Sequence, residues 1–195
     1  MIVIIILITL LIIIYIVYST NKNYNDNMIL EKATFDNNVY LVQDKDNKAQ
    51  SANKLAYLKN NIQTIVNYLQ QHQNDYPDYP IVNLISRTKN IIIQERPANE
   101  TDYTSYTVNK GEKIVFCIRS SYLDTIHDNN ILMYVMIHEL AHILSNNVGH
   151  GEEFVKNFKF LLNIAVKLNL YKIENYEKNP MEYCNMTINE YLFDK

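Results

Sequence analysis

Cysteine is scarce. Cys117 and Cys184 are the only two, with no C-x-x-C and no evenly spaced set, so the sequence encodes neither a disulfide framework nor a zinc ribbon. The domain therefore need not face an oxidising compartment. Basic residues are nowhere concentrated and the formal net charge is −3, which excludes a phosphate-neutralising surface, and nucleic acid is not expected as a partner. Tryptophan is absent and glycine occurs three times, beside 16 Tyr and much Ile, Asn and Lys. That bias is compositional and carries no function. There is no internal repeat, and no low-complexity tract apart from one apolar run at the N-terminus.

That run, Ile2 to Tyr18, is 17 apolar residues long and as a helix would reach roughly 25 Å at about 1.5 Å per residue. No Lys or Arg precedes it, and Ser19-Thr20-Asn21 is a poor cleavage site, so a retained anchor is favoured over a cleaved signal or a buried core helix. Tyr15 and Tyr18 would sit near the interface, and Lys22 tips the domain weakly towards the cytosolic side. The expectation is a single-pass membrane protein. Residues 1–18 form a transmembrane anchor, 19–50 a polar tether and 51–195 one domain, for which 195 residues and 48% apolar content suffice.

Within the domain, Leu55, Leu58, Ile62, Ile65, Val66 and Leu69 recur at helical steps, with Ser51 as a candidate N-cap. The prolines of Tyr76-Pro77-Asp78-Tyr79-Pro80 end that helix. A β region follows at Asn90–Glu95. The runs Thr101–Val108 and Lys113–Arg119, split by Asn109-Lys110-Gly111-Glu112, then read as a hairpin whose second strand is buried on both faces. Cys117 there reads as a small buried hydrophobe. Asp128 opens a helix that stops near Asn146–Gly149, and another runs from Glu152 to about Asn169 with Phe154, Phe158, Leu161 and Leu162 on its apolar face. The tail from Tyr171 has only weak periodicity.

His138-Glu139-Leu140-Ala141-His142 is an H-E-x-x-H inside the Asp128 helix. Histidines four apart share one helical face, so both imidazoles can reach one tetrahedral zinc ion, while Glu139 can touch a zinc-activated water without being a ligand. A catalytic zinc needs a third protein ligand. His150, flanked by Gly149 and Gly151 on a turn that can present it back to the metal, is the candidate, with Glu152 or Glu153 as alternatives. His72 and His127 lack ligand spacing, and His127 reads as exposed. Cys184 reads as a packing residue, with an inhibitory thiolate on the zinc as the other option.

The segment HELAHILSNNVGHGEEF resembles the active-site signature of SprT-like and WLM-type metallopeptidases, with His138, Glu139, His142, His150, Gly151 and Phe154 in matching places. The resemblance covers about the last third of the chain. It implies an α+β, compact zincin-like core of helices on a small β-sheet, a zinc cofactor on His138, His142 and His150, and Glu139 as general base. It also implies a strand edge near the cleft for an extended peptide, with Lys113–Arg119 as candidate. The chain lacks that family's C-terminal zinc ribbon and basic region, so a role on DNA-protein crosslinks does not carry over. The expected function is a membrane-anchored zinc metallopeptidase acting on peptide or protein substrates. Its rivals are a catalytically weak or inactive membrane-tethered zinc-binding interaction protein of the same fold, and a zinc hydrolase of another amide or ester.

Overall fold

The structure, a computed structural model, describes residues 6–15, 27–100 and 102–193. Residues 6–15 form a helix, α1, with its apolar side chains exposed. No helix among the described residues is long and apolar enough to cross a membrane. This overturns the expected transmembrane helix over residues 2–18, and with it the single-pass localisation and the membrane partner. Over the described residues α1 reaches about 15 Å, half of a hydrocarbon core of about 30 Å. Residues 2–5 and 16–18 of the apolar run, and 19–26 of the expected tether, lie outside the described residues.

From residue 28 the expected tether is instead part of the domain. Strands β1 (Met28–Lys32) and β2 (Val39–Gln43) pair antiparallel, with Leu30 opposite Leu41. Ala33, Tyr40 and Val42 are buried. Asn53 ties this hairpin to the next helix, its Oδ1 accepting from the backbone N–H groups of Thr34 and Phe35 at 2.8 and 3.0 Å. Five-residue strands carry little periodic signal of their own. What orders them is the apolar surface of α2 (Lys48–Gln71), which buries Leu55, Leu58, Ile62, Ile65, Val66 and Leu69 as their spacing requires. The helix begins earlier than expected, with Asn47 as its N-cap residue, so Ser51 lies inside it and is fully buried.

After the proline loop a short helix, α3 (Ile81–Thr88), lies in a stretch with no expected element. Pro80 stands at its entry, where a missing N–H costs nothing, and Ile81, Leu84 and Thr88 are buried one and two turns apart.

The central sheet has the order β3-β5-β4. Strand β3 (Ile92–Glu95) runs parallel to β5 (Lys113–Phe116), while β4 (Tyr106–Val108) pairs antiparallel with β5 through the expected hairpin. Ile114, Val115 and Phe116 are fully buried, as the sequence of β5 suggests. Because β5 has a partner on each side it offers no free edge. The candidate substrate edge at Lys113–Arg119 is therefore corrected to β4, since a hairpin pattern cannot tell which of its two strands gains a second neighbour.

Two further helices, α4 (Asn129–Leu144) and α5 (Glu152–Lys167), pack against each other, and α4 also against α2 and α3. The tail holds a small hairpin, β6 (Met181–Tyr183) and β7 (Met186–Ile188), which forms its own two-stranded sheet. Cys184 at its tip is bonded to Cys117 as a disulfide, with the Cα atoms 6.4 Å apart. Both are buried, as expected of Cys117, but the readings of two unrelated cysteines and of a thiolate reaching the zinc give way. The pair is 67 residues apart in sequence, and spacing of that kind has no local signature.

A buried ion pair fastens these pieces. Arg119 donates to Glu95 at 2.6 Å, with the two side chains 3% and 0% exposed. Glu95 Oε2 also accepts from the Gln43 N–H at 2.8 Å, and Arg119 donates to Ser51 Oγ at 2.7 Å and to the Asn47 side chain. Removing one partner leaves the other charge buried and unpaired. Arg119→Met is expected to lower unfolding free energy by about 3–5 kcal/mol, read from the urea midpoint. Pairing it with Glu95→Gln should recover part of the loss.

Candidate metal centre

Helix α4 begins with Asp128, whose Oδ1 accepts from the N–H groups of Asn130 and Ile131 at 2.7 and 3.2 Å. Every residue from Ile131 to Ile137 is buried, so the helix is held on all sides before its last two turns reach the cleft. Its C-terminal carbonyls, which have no partners inside a helix, are taken up by two cations. Arg87 donates to Ile143 O at 2.6 Å and Ser145 O at 3.1 Å, and Lys110 Nζ to Ser145 O at 3.0 Å and Asn147 O at 2.6 Å. Positive charge there also opposes the negative end of the helix dipole.

The chain then turns through residues 146–151, with Gly149 at φ +88°. Glu153 holds this loop by accepting from the N–H groups of Asn146 and Asn147 at 2.8 and 3.0 Å. Those hydrogen bonds lower the Glu153 pKa, and they occupy the carboxylate that was an alternative ligand.

The loop delivers His150 back to α4. His150 Nε2 lies 3.1 Å from His138 Nε2 and 3.1 Å from His142 Nε2, and the three ligand atoms all fall within 4.8 Å of one another. Two nitrogens bound at about 2.0–2.1 Å to one tetrahedral ion stand about 3.3 Å apart. The donor set therefore fits a zinc ion. Phe154 packs on all three imidazoles, with ring centroids 4.8, 4.4 and 4.7 Å from those of His138, His142 and His150. His150 is exposed and the other two half-buried, which leaves one side of the cluster open.

Burial, with the neighbouring imidazoles His142 and His150, depresses the pKa of His138 to about 3. Burial, His150 and Lys110 depress that of His142 to about 4. Both rings are thus neutral near pH 7 with lone pairs free for a metal. Glu139 follows His138 on the same helix, lines the same cleft and is buried. Desolvation raises its pKa to about 7, against the opposing effect of a hydrogen bond donated by Thr107 Oγ1 to Oε2 at 2.8 Å. Thr107 belongs to the edge strand β4, and nothing in the sequence distinguished it.

A cavity of about 680 Å³ opens over these groups, walled by β4 on one side and by Tyr183, Met186 and Ile188 of the tail hairpin on another. The four residues singled out by motif and spacing, His138, Glu139, His142 and His150, thus meet in one cleft. The remaining histidines do not join it. His72 stacks on Tyr68 with ring centroids 4.2 Å apart. His127, expected at the surface, is buried with its Nε2 4.0 Å from Cys184 Sγ.

A helix pair and turn that gather three imidazoles and a buried carboxylate over a cleft define an α+β domain built around a candidate metal centre. No family model matches the chain. It is 39% identical over 163 residues to protein R325 of Acanthamoeba polyphaga mimivirus, covering 83% of this chain and 82% of that one, and it belongs to the same family. Protein 136R of Invertebrate iridescent virus 6 is 29% identical over 180 residues, 87% of this chain and 90% of that one. Protein 042R of Invertebrate iridescent virus 3 is 37% identical over 87 residues, 44% of this chain and 52% of that one. All three are designated uncharacterized. Among solved structures, Wss1 from Saccharomyces cerevisiae is similar at a TM-score of 0.46 with 23% identity, over 66% of this chain and 86% of that one.

The C-terminus of α4 is also secured from α5. Asn157 is buried and donates to Ser145 Oγ at 2.9 Å, and Ser145 Oγ donates to Ala141 O at 2.7 Å. Ser145→Ala leaves the Asn157 amide without that acceptor, so a loss of about 1–3 kcal/mol is expected in thermal or urea unfolding. An Asn157→Leu change made on top of it should cost less than it does alone.

Proposed function

We propose that the protein is a zinc metallopeptidase in which His138, His142 and His150 hold the metal and Glu139 is the general base. The observation that carries this reading is the convergence of the three Nε2 atoms beside a carboxylate on the same helix. When bound to three protein nitrogens with one position open, zinc lowers the pKa of a water molecule towards neutrality and polarises a carbonyl.

The chain's own residues would do the rest. Glu139, with a pKa raised to about 7 by burial, is matched to taking a proton from water and returning it to a leaving amine near neutral pH. Thr107, through its 2.8 Å hydrogen bond to Oε2, holds that carboxylate in one orientation and acts as a positioning residue. As the outer strand of its sheet, β4 lies along the cleft where an extended peptide would be laid. A peptide laid there would cross beside His138 and His142, on the open side of the cluster.

The test uses the full chain. About one zinc per chain is expected, lost in His150→Ala and retained in Glu139→Gln. Cleavage of an unfolded protein should fall by about 10²-fold or more in Glu139→Gln. Absence of zinc from the wild type would sink the assignment, and zinc without cleavage would favour a binding protein of the same architecture. For Thr107, replacement by Val should reduce kcat with KM little changed, while Thr107→Ser restores most of the rate. Equal loss in both variants would make the residue merely structural.

A further inference from the structure

We infer that Cys117 and Cys184 form a reducible site, separate from the histidine cluster, whose reactant is a dithiol and whose state decides whether one wall of the cleft is docked. The β6–β7 hairpin supplies that wall through Tyr183, Met186 and Ile188. Among the described residues it is paired with no strand of the central sheet, so its position depends on side chains and on the bond at its tip.

The tip itself points to the bond. Cys184 stands in the two-residue turn between β6 and β7 with φ +60°, a backbone region that Gly and Asn favour and other residues seldom take. Yet its side chain is fully buried, and it is joined to Cys117 just beyond β5. Polar ties add to the bond at this end, among them Thr104 Oγ1 donating to Met186 Sδ at 3.7 Å. Ser105 Oγ accepts from the Cys117 N–H at 3.0 Å and meets the Tyr183 hydroxyl at 2.6 Å, and the Cys184 N–H donates to His127 Nε2 at 3.4 Å. One covalent link thus locks a segment that secondary structure does not hold.

The exchange balances without any further reactant. A thiolate of the dithiol attacks one protein sulfur, the Cys117–Cys184 bond breaks, and a mixed disulfide forms as the other protein sulfur leaves and takes a proton. The second sulfur of the dithiol then displaces the protein from the mixed disulfide. Two electrons and two protons end on Cys117 and Cys184, and the reactant becomes a cyclic disulfide. With both sulfurs buried, attack requires the hairpin to lift, so reduction and undocking are one event. A disulfide reagent reverses the step.

The latch stands on its own geometry; only its effect on turnover rests on the peptidase reading. The experiment is amide hydrogen exchange on the full chain before and after dithiothreitol, with thiols counted by alkylation. Expected are no alkylated thiols before reduction and two after it, with exchange over residues 181–190 faster by about tenfold or more and α4 still protected. Two thiols before reduction would overturn the inference. So would unchanged exchange over 181–190 once both thiols are free, or loss of protection in α4 at the same time. A Cys117→Ser, Cys184→Ser double variant, which needs no reductant and keeps its zinc, should show the same local exchange and a KM raised several-fold. If the oxidised wild type cleaves nothing, the peptidase reading fails while the exchange result still decides the latch.

Discussion

Arg119 and Glu95 are a charged pair placed where charge is costly, and the surrounding structure is arranged to satisfy both. A carboxylate and a guanidinium taken out of water lose several kcal/mol of hydration each, which their attraction offsets only with good geometry and further hydrogen bonds. Here the 2.6 Å contact is supplemented from β2 through the Gln43 N–H and from α2 through Ser51 and Asn47. The pair therefore joins β2, β3, α2 and the strand end after β5 at one point. The same chain end governs where α4 starts, for Arg119 bridges to Ile126 and the His127 N–H donates to Ile118 O at 3.0 Å. With Asp128 fixed as cap, a rigid helix places His138 about 15 Å further on, at about 1.5 Å per residue.

The far end of α4 is fixed with equal care, and by residues of different origin. Arg87 comes from α3 and Lys110 from the turn between β4 and β5. That turn sits hard against α3, since a Cβ on Gly111, which has φ +118°, would come within 2.8 Å of Arg87 O. A side chain at position 111 would push the turn away and take Lys110 with it. The glycine thus keeps two cations together on the carbonyls of the helix that carries His138 and His142. The scarcity of glycine makes this position informative: of three, one maintains this contact and two flank His150.

The helix that carries His138, Glu139 and His142 was legible in the sequence because its information is local. Asp128 as cap, the four-residue spacing of His138 and His142, and His150 between two glycines all lie within a stretch short enough for helical periodicity and turn chemistry to govern. The long apolar face of α2 and the β4–β5 hairpin were legible for the same reason. Elements whose form depends on distant partners were not. The β1–β2 hairpin reads as tether because its order comes from α2, and α3 has no reading at all because two turns beside two prolines have little propensity of their own. The identity of the edge strand depends on β3, a segment from outside the hairpin. The apolar run at the N-terminus misled in the other direction, since local hydrophobicity suggested a span that no described helix provides.

That division has a consequence for the cleft. The residues that could hold a metal and move a proton stand on one helix and the turn after it, while the walls come from strands of three residues each, β4, β6 and β7. Such short strands have little intrinsic stability, so their positions are set by what fastens them: β5 for β4, and the Cys117–Cys184 bond for the tail hairpin. Changes there alter the shape of the cleft without touching the imidazoles or Glu139. On the proposed function, selectivity for a substrate would reside in segments that carry almost no sequence signature, and the class of reaction in the one segment that does.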